Sequence, residues 1–134
     1  MNRYLSFLKQ TIITLIIAFT SSHLSALGVG DITLESSLGF PLLATIPLTN
    51  FDELNAEEIH IKQAPIEMYE KLGVSRGALY KTLLFDVDEN KVLTVSSKKP
   101  IKEPYLHFVL QLRWPEGEIF REVKLLIDPP SSIN

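Results

Sequence analysis

The chain has 134 residues, 46% of them hydrophobic, no cysteine and a formal net charge of −3. This length suffices for one domain with its own core, and a chain without cysteine cannot use a disulfide framework. The mildly acidic balance argues against nucleic acid or anionic lipid as a partner, since both select basic surfaces.

The N-terminal segment has the three parts of a secretory signal peptide. Arg3 and Lys9 supply positive charge, residues 11–20 form an uncharged and mostly apolar run, and a small, polar stretch ends at Ala26. The run is about half of the roughly 20 residues that a membrane-spanning helix needs. We therefore expect cleavage between Ala26 and Leu27, with an uncleaved membrane anchor as the alternative.

Cleavage at this position would release residues 27–134, which carry 11 basic and 16 acidic side chains and a formal charge of −5. We expect residues 27–130 to form one folded domain and residues 131–134 a short tail. No second apolar segment long enough to cross a membrane follows residue 27. The expected product is a periplasmic protein without a stable membrane anchor.

Beyond residue 27, apolar and polar residues alternate in short runs, the pattern of half-buried β-strands. The longest run is Tyr105–Trp114, whose apolar face comprises Leu106, Phe108, Leu110, Leu112 and Trp114. Other runs begin near Ile32, Leu42, Ile59, Leu83, Val92 and Ile119, and residues 88–90 form a hairpin turn.

One segment departs from the strand pattern. Residues 65–72 place apolar side chains at helical spacing, Pro65 suits the first position of a helix, and Gly73 suits its end. The sum is about seven strands and one short helix. These features predict an all-β, immunoglobulin-like sandwich of two sheets, with a small closed barrel as the alternative.

Residues 73–77 read GVSRG and match the G-x-S-x-G pattern of serine hydrolases. In those enzymes the serine sits on a turn from a strand into a helix, whereas Ser75 follows a helical pattern and precedes a strand. We interpret the motif as a helix end and a turn, and we predict that the protein is not an enzyme.

Metal and cofactor sites are not predicted either. Residues 86–90 (DVDEN) resemble the opening of a calcium loop, but Lys91 and Ser97 occupy the positions where an EF-hand has glycine and glutamate. After residue 26 only His60 and His107 remain as nitrogen ligands, too few for a four-coordinate zinc site without cysteine. We expect no metal, no cofactor and no small-molecule substrate.

Trp114, Arg113 and Tyr105 are residue types favoured at protein interfaces. The alternation instead places Trp114 on the buried face of its strand, so we interpret it as a core residue at the end of a hairpin.

Several stretches together resemble the N-terminal periplasmic domain of FimV-type proteins. They cover nearly all of residues 27–130 and comprise residues 27–32, 36–48, 95–106, 112–117, 121–122 and 126–130. The signature residues within them are Pro41, Pro100, Pro104, Trp114, Pro115, Gly117, Arg121, Asp128 and Pro129. Proline at strand entries removes backbone donors at edges, and glycine permits a tight turn, so we interpret these residues as structural.

The resemblance implies a module tied to type IV pilus assembly, twitching motility and polar organisation of the envelope. Family members usually add a LysM motif, a membrane helix and a cytoplasmic tetratricopeptide region. This sequence contains none of these, so we do not expect wall binding, membrane anchoring or the cytoplasmic role to carry over. No catalytic residue carries over. The leading hypothesis is a non-catalytic module that binds an envelope protein; the alternatives are a chaperone-like sandwich for exported subunits and a truncated remnant of a larger relative.

Overall fold

The computed structural model describes residues 2–9 and 27–131. Residues 2–9 are helical and exposed. The predicted apolar run of the signal and Ala26 lie outside the described residues, so cleavage after Ala26 stays a prediction. Within the described ranges, no helix combines the length and apolarity needed to cross a membrane.

Between residues 27 and 131 the chain forms eight strands and one α-helix. The strands are β1 (Gly28–Val29), β2 (Thr33–Leu34), β3 (Pro41–Thr49), β4 (His60–Gln63), β5 (Leu83–Val87), β6 (Val92–Pro100), β7 (Tyr105–Trp114) and β8 (Gly117–Leu126). Helix α1 spans Ile66–Leu72, and short 3-10 turns occupy Ala56–Glu58 and Ala78–Lys81. The all-β prediction and the single short helix between β4 and β5 are confirmed.

The strands pair in two antiparallel sheets. In the first, β1 and β2 both pair with β3, which pairs with β6, which pairs with β5; the second has the order β4-β7-β8. If β1 and β2 count as one strand, these are the A-B-E-D and C-F-G sheets of a constant-type immunoglobulin domain. The predicted immunoglobulin-like sandwich is confirmed.

The N-terminal strand is interrupted, which explains why the structure has eight strands instead of about seven. Gly30 lies in the gap and donates its N–H to the carbonyl of Pro47 at 2.8 Å. A Cβ at Gly30 would lie 2.9 Å from that same carbonyl oxygen. The close approach of the two backbones therefore requires glycine here.

The core lies between the two sheets. Its residues are the predicted inward-facing sets of β3 and β7 with partners from the other elements, among them Leu42, Ala44, Ile46, Leu48, Leu93, Val95, Leu106, Phe108, Leu110, Leu112, Val123, Leu125 and Ile127. Val109 is also fully buried, although it lies on the opposite face of β7 from Leu110. The middle of β7 is thus covered on both faces.

Helix α1 begins one residue later than predicted. Pro65 has an extended conformation, with ψ at 159°, and serves as the N-cap instead of the first helical residue. Gly73 ends the helix in the left-handed region at φ 67°, where glycine carries no steric penalty. Proline thus marks the start of the helix and glycine its end, as the sequence predicts.

Candidate functional site

A groove opens where β4 separates from β7. Strand β4 pairs with β7 only from His60 to Gln63, opposite Arg113 to Leu110. Ala64 adds one more hydrogen bond, from its N–H to the carbonyl of Val109 at 2.9 Å. Pro65 has no N–H and cannot extend the ladder, so the chain turns away into α1. The first half of β7 is left without a partner on this side.

The Tyr69 hydroxyl takes the place of the missing strand at Val109. It accepts the Val109 N–H at 2.9 Å and donates to Oε1 of Gln63. Burial raises the pKa of Tyr69, outweighing the smaller opposing effects of the Val109 backbone and Arg76. The phenol therefore stays neutral over the physiological range and acts as a fixed polar anchor between helix and sheet.

Tyr80 completes this anchor from the 3-10 turn. Its hydroxyl donates to the carbonyl of Ala64 at 3.0 Å, the group that would have continued the ladder. Its ring meets Tyr69 edge-on at a centroid distance of 5.5 Å, and Cζ of the Arg76 guanidinium lies 4.4 Å from the centroid of the Tyr80 ring. Cation–π and edge-to-face contacts of this kind orient aromatic rings.

The groove has a volume of about 350 Å³, within the range of ligand-binding clefts. One wall is the loop and 3-10 turn after α1, and the other is the start of β7; the lining includes Gln63, Tyr69, Leu79, Tyr80, Leu83, Glu103, Tyr105 and Phe108. The Nε2 atom of Gln63 is buried and has no hydrogen-bond partner among the described residues. Most of the wall is apolar or aromatic, and Gln63 contributes a buried side-chain donor that is unused within the described structure.

Ser75 of the hydrolase-like motif also lines the groove, as does His107. Ser75 is exposed in the loop between α1 and the 3-10 turn, so the elements around it occur in the reverse order of a nucleophile elbow. In the described part of the chain no hydrogen bond joins Ser75 to His107. The motif is a helix end and a loop, as the sequence predicts.

His107 instead faces its neighbour on β8. Its Nε2 lies 2.5 Å from Oε1 of Glu122, and Nζ of Lys124 lies 3.2 Å from the same oxygen. The hydrogen bond with His107, followed by that with Lys124, lowers the pKa of Glu122. These three side chains form an exposed cross-strand cluster on the outer face of the second sheet.

The calcium-like segment forms a hairpin turn. The Asp88 carboxylate accepts the Val92 N–H at 2.9 Å. This carboxylate is therefore engaged in a hydrogen bond that closes the turn. Lys91, where an EF-hand would have glycine, lies in the left-handed region at φ 60°. Over residues 2–9 and 27–131 no group of three or more histidine, aspartate or glutamate side chains is placed to hold a metal ion.

The three interface-type residues lie at opposite ends of β7. Trp114 is half-buried and meets Phe51 edge-on at 5.6 Å, while Gly117 faces the indole so closely that a Cβ would be 3.1 Å from it. Arg113 is exposed near Glu118. Tyr105, at the other end, is 51% exposed and borders the groove.

The remaining signature residues do not converge on one site. Pro41 and Pro100 face each other across β3 and β6. The carbonyls of Pro104 and Asp128 accept the N–H groups of Ile127 and Leu38, at 2.7 and 2.9 Å. Pro115, Arg121 and Pro129 are exposed. Leu27, the first residue after the predicted cleavage point, is half-buried and packs against the core.

Comparisons with known proteins identify the family of this chain. The sequence model of the FimV N-terminal, Ig-like domain matches residues 27–130. The chain belongs to the FimV N-terminal domain family. It is 41% identical over 115 residues to the Motility hub protein FimV in two strains of Pseudomonas aeruginosa. That match covers 83% of this chain but spans only 12% of the length of those relatives. No solved structure matches the chain significantly.

The groove of this FimV-type domain was not visible in the sequence. In the sequence Tyr69 is one residue of the helical pattern over residues 65–72, and Gln63 and Tyr80 belong to no motif. The contact that builds the site joins Tyr69 to Val109, 40 positions away. The one sequence signal was Pro65 directly after a strand pattern, since proline ends a ladder and leaves its neighbour strand open.

Proposed function

We propose that this protein is a non-catalytic, periplasmic interaction module that serves type IV pilus assembly, twitching motility or polar organisation of the envelope. The observation that carries the proposal is the 41% identity, over 83% of the chain, to proteins named motility hub protein FimV. The N-terminal signal pattern supports export, and the acidic balance of residues 27–134 supports a protein partner over nucleic acid.

The site geometry supports binding over catalysis. The hydroxyl of Tyr69 is held by Val109 and Gln63, and the groove walls are mainly apolar. A hydrolase needs a nucleophile within hydrogen-bond reach of a base, and the described residues offer no such pair at Ser75. Apolar walls with a few aimed polar groups are typical of recognition.

Gene deletion in the source bacterium tests this role. We expect a smaller twitching zone and fewer surface pili, both restored by the intact chain. The matched control pair acts on export: Leu15→Arg places a charge in the apolar run and should abolish rescue, whereas Leu15→Ile should retain it. Unchanged twitching and piliation in the deletion strain would contradict the proposal.

The export step has a separate test. Intact mass measurement of the protein from the periplasmic fraction should give a chain that begins at Leu27. A chain that keeps residues 1–26 and sediments with membranes would show an uncleaved anchor.

The chaperone-like alternative predicts a different phenotype. The deletion strain would lose its unassembled pilus subunits, and the few subunits that remain would assemble correctly.

A further inference from the structure

The first half of β7 presents unpaired backbone groups to the groove. Strand β8 pairs with β7 along its full length, from Tyr105 to Trp114, while β4 reaches only Leu110. In an antiparallel strand both backbone groups of alternate residues point to the same side. Val109 points toward β4, so Tyr105 and His107 do as well. The N–H and C=O groups of these two residues make no hydrogen bond within residues 27–131.

Gln63 adds a fifth unused group at the same place. Its Oε1 accepts from Tyr69, but its Nε2 is buried without a partner in the described part of the chain. A buried donor left unpaired is destabilising, because it loses its hydrogen bonds to water and gains none in the protein. A carbonyl that enters the groove would remove this cost, and a peptide backbone supplies carbonyls at regular intervals.

The groove also has a defined charge. Glu103 lies at the end of the groove beyond Tyr105, is exposed, and makes no ion pair among the described residues. Among the described residues that line the groove, Glu103 is the one acid, and none is a lysine or arginine. This end of the groove therefore presents a carboxylate, which complements a basic side chain.

We propose that this groove binds an extended peptide segment of a partner protein, which adds to the second sheet in line with β4 and antiparallel to β7. Its backbone pairs with Tyr105 and His107, an apolar side chain enters between Tyr80 and Phe108, and a basic residue on its C-terminal side meets Glu103. This is recognition by strand addition. The proposal rests on the proposed function. It names the groove as the binding surface of the module and an extended peptide as its class of ligand.

Selection with the full chain against a displayed library of short random peptides tests the proposal. We expect enriched peptides to share an apolar residue followed by lysine or arginine. One enriched peptide, synthesised with a fluorophore, then gives affinities by fluorescence anisotropy. Failure to enrich any such pattern would overturn the proposal.

Two variants at one position isolate the backbone contact. Tyr105→Pro removes the open N–H at the first residue of the strand, a position that tolerates proline, and should weaken peptide binding by more than tenfold relative to the wild-type protein. Tyr105→Ala removes the same side chain but keeps the N–H, and should bind at least ten times more tightly than the proline variant. Equal affinity of the two variants would contradict strand addition.

Two further variants test the polar contacts without changing a residue of β7. Gln63→Glu keeps the acceptor for Tyr69 and removes the Nε2 donor, while Glu103→Lys reverses the exposed charge; both should weaken binding. Thermal unfolding of each variant establishes that it is folded. Unchanged peptide affinity in both folded variants would overturn the assignment of the groove.

Two further outcomes distinguish a partner peptide from other occupants of the groove. Analytical ultracentrifugation that shows a dimer, lost in Tyr105→Pro but kept in Tyr105→Ala, would identify a second copy as the occupant and overturn the proposal. The peptide measurements do not depend on motility. A groove that binds no peptide while the deletion strain fails to twitch would leave the proposed function standing and remove only this site.

Discussion

At the scale of single residues, the Tyr69 hydroxyl joins helix and sheet through one oxygen. Tyr69→Phe would leave the Val109 N–H buried and unpaired and would remove the donor to Gln63. We expect the free energy of unfolding to fall by about 1–3 kcal/mol. Urea denaturation monitored by circular dichroism measures it.

Tyr105→Phe is the matched control for this loss, because the Tyr105 side chain is 51% exposed and its hydroxyl makes no hydrogen bond in the described structure. We expect a change within about 0.5 kcal/mol. Equal losses in the two variants would mean that the Tyr69 hydroxyl contributes nothing specific.

Glu122 predicts a dependence of stability on pH. Hydrogen bonds with His107 and Lys124 lower the pKa of Glu122 in the folded state, so the native protein binds fewer protons than the unfolded chain. The stability that this carboxylate contributes is full above the unfolded pKa of about 4.3. It is lost as the pH falls through the lower folded pKa.

Glu122→Gln should therefore flatten the fall in melting temperature on acidification below about pH 4.3. Glu89→Gln serves as the control, since this exposed turn carboxylate makes no ion pair among the described residues. The same acid slope for Glu122→Gln and the wild-type protein would refute the role of the cluster.

At the scale of elements, substitution by alanine should have opposite effects on stability at the two glycines that flank one loop, Gly73 and Gly77. Gly73 ends α1 at φ 67°, a conformation that strains any residue with a Cβ. Gly77 has an ordinary φ of −75°, and a Cβ added to it would meet no neighbouring atom of the described residues within 4 Å. Gly73→Ala should cost about 1 kcal/mol.

Gly77→Ala should instead be neutral or stabilising by up to about 1 kcal/mol, because alanine restricts the unfolded chain. Melting temperatures of the two variants check both signs in one experiment. A stabilised Gly73→Ala variant would show that the helix does not end in the left-handed conformation.

At the scale of the whole molecule, the two sheets share one core and should unfold together. Leu110 is fully buried and Leu126 is 67% exposed, although both lie on the β7–β8 hairpin. Leu110→Ala should lower the free energy of unfolding by about 2–5 kcal/mol, whereas Leu126→Ala should change it by less than about 0.5 kcal/mol.

Trp114 is the single tryptophan of the chain and reports on the end of the second sheet through its contact with Phe51. Its fluorescence and the far-ultraviolet circular dichroism should give the same midpoint in Leu110→Ala, as two-state unfolding requires. Separate midpoints would mean that the sheets lose structure independently.

Much of the fold could be predicted from local pattern. Alternation in Tyr105–Trp114 marks a strand because side chains in a strand alternate between its faces, and Pro65 and Gly73 mark the helix because proline and glycine have distinctive backbone preferences. The family resemblance follows from the same linear signal. The interrupted N-terminal strand was missed, since it depends on how closely Gly30 approaches Pro47.

The sequence by itself thus determined seven of the strand regions, the short helix, the family and the expectation of export, all of which depend on local sequence patterns. Only the tertiary structure decided that β4 leaves β7 early and that the Tyr69 hydroxyl fills the gap at Val109. It also placed Gln63, Glu103 and the open edge of Tyr105 around one groove. These contacts join residues far apart in the chain, and their geometry comes from the packing of whole elements, which no local pattern encodes.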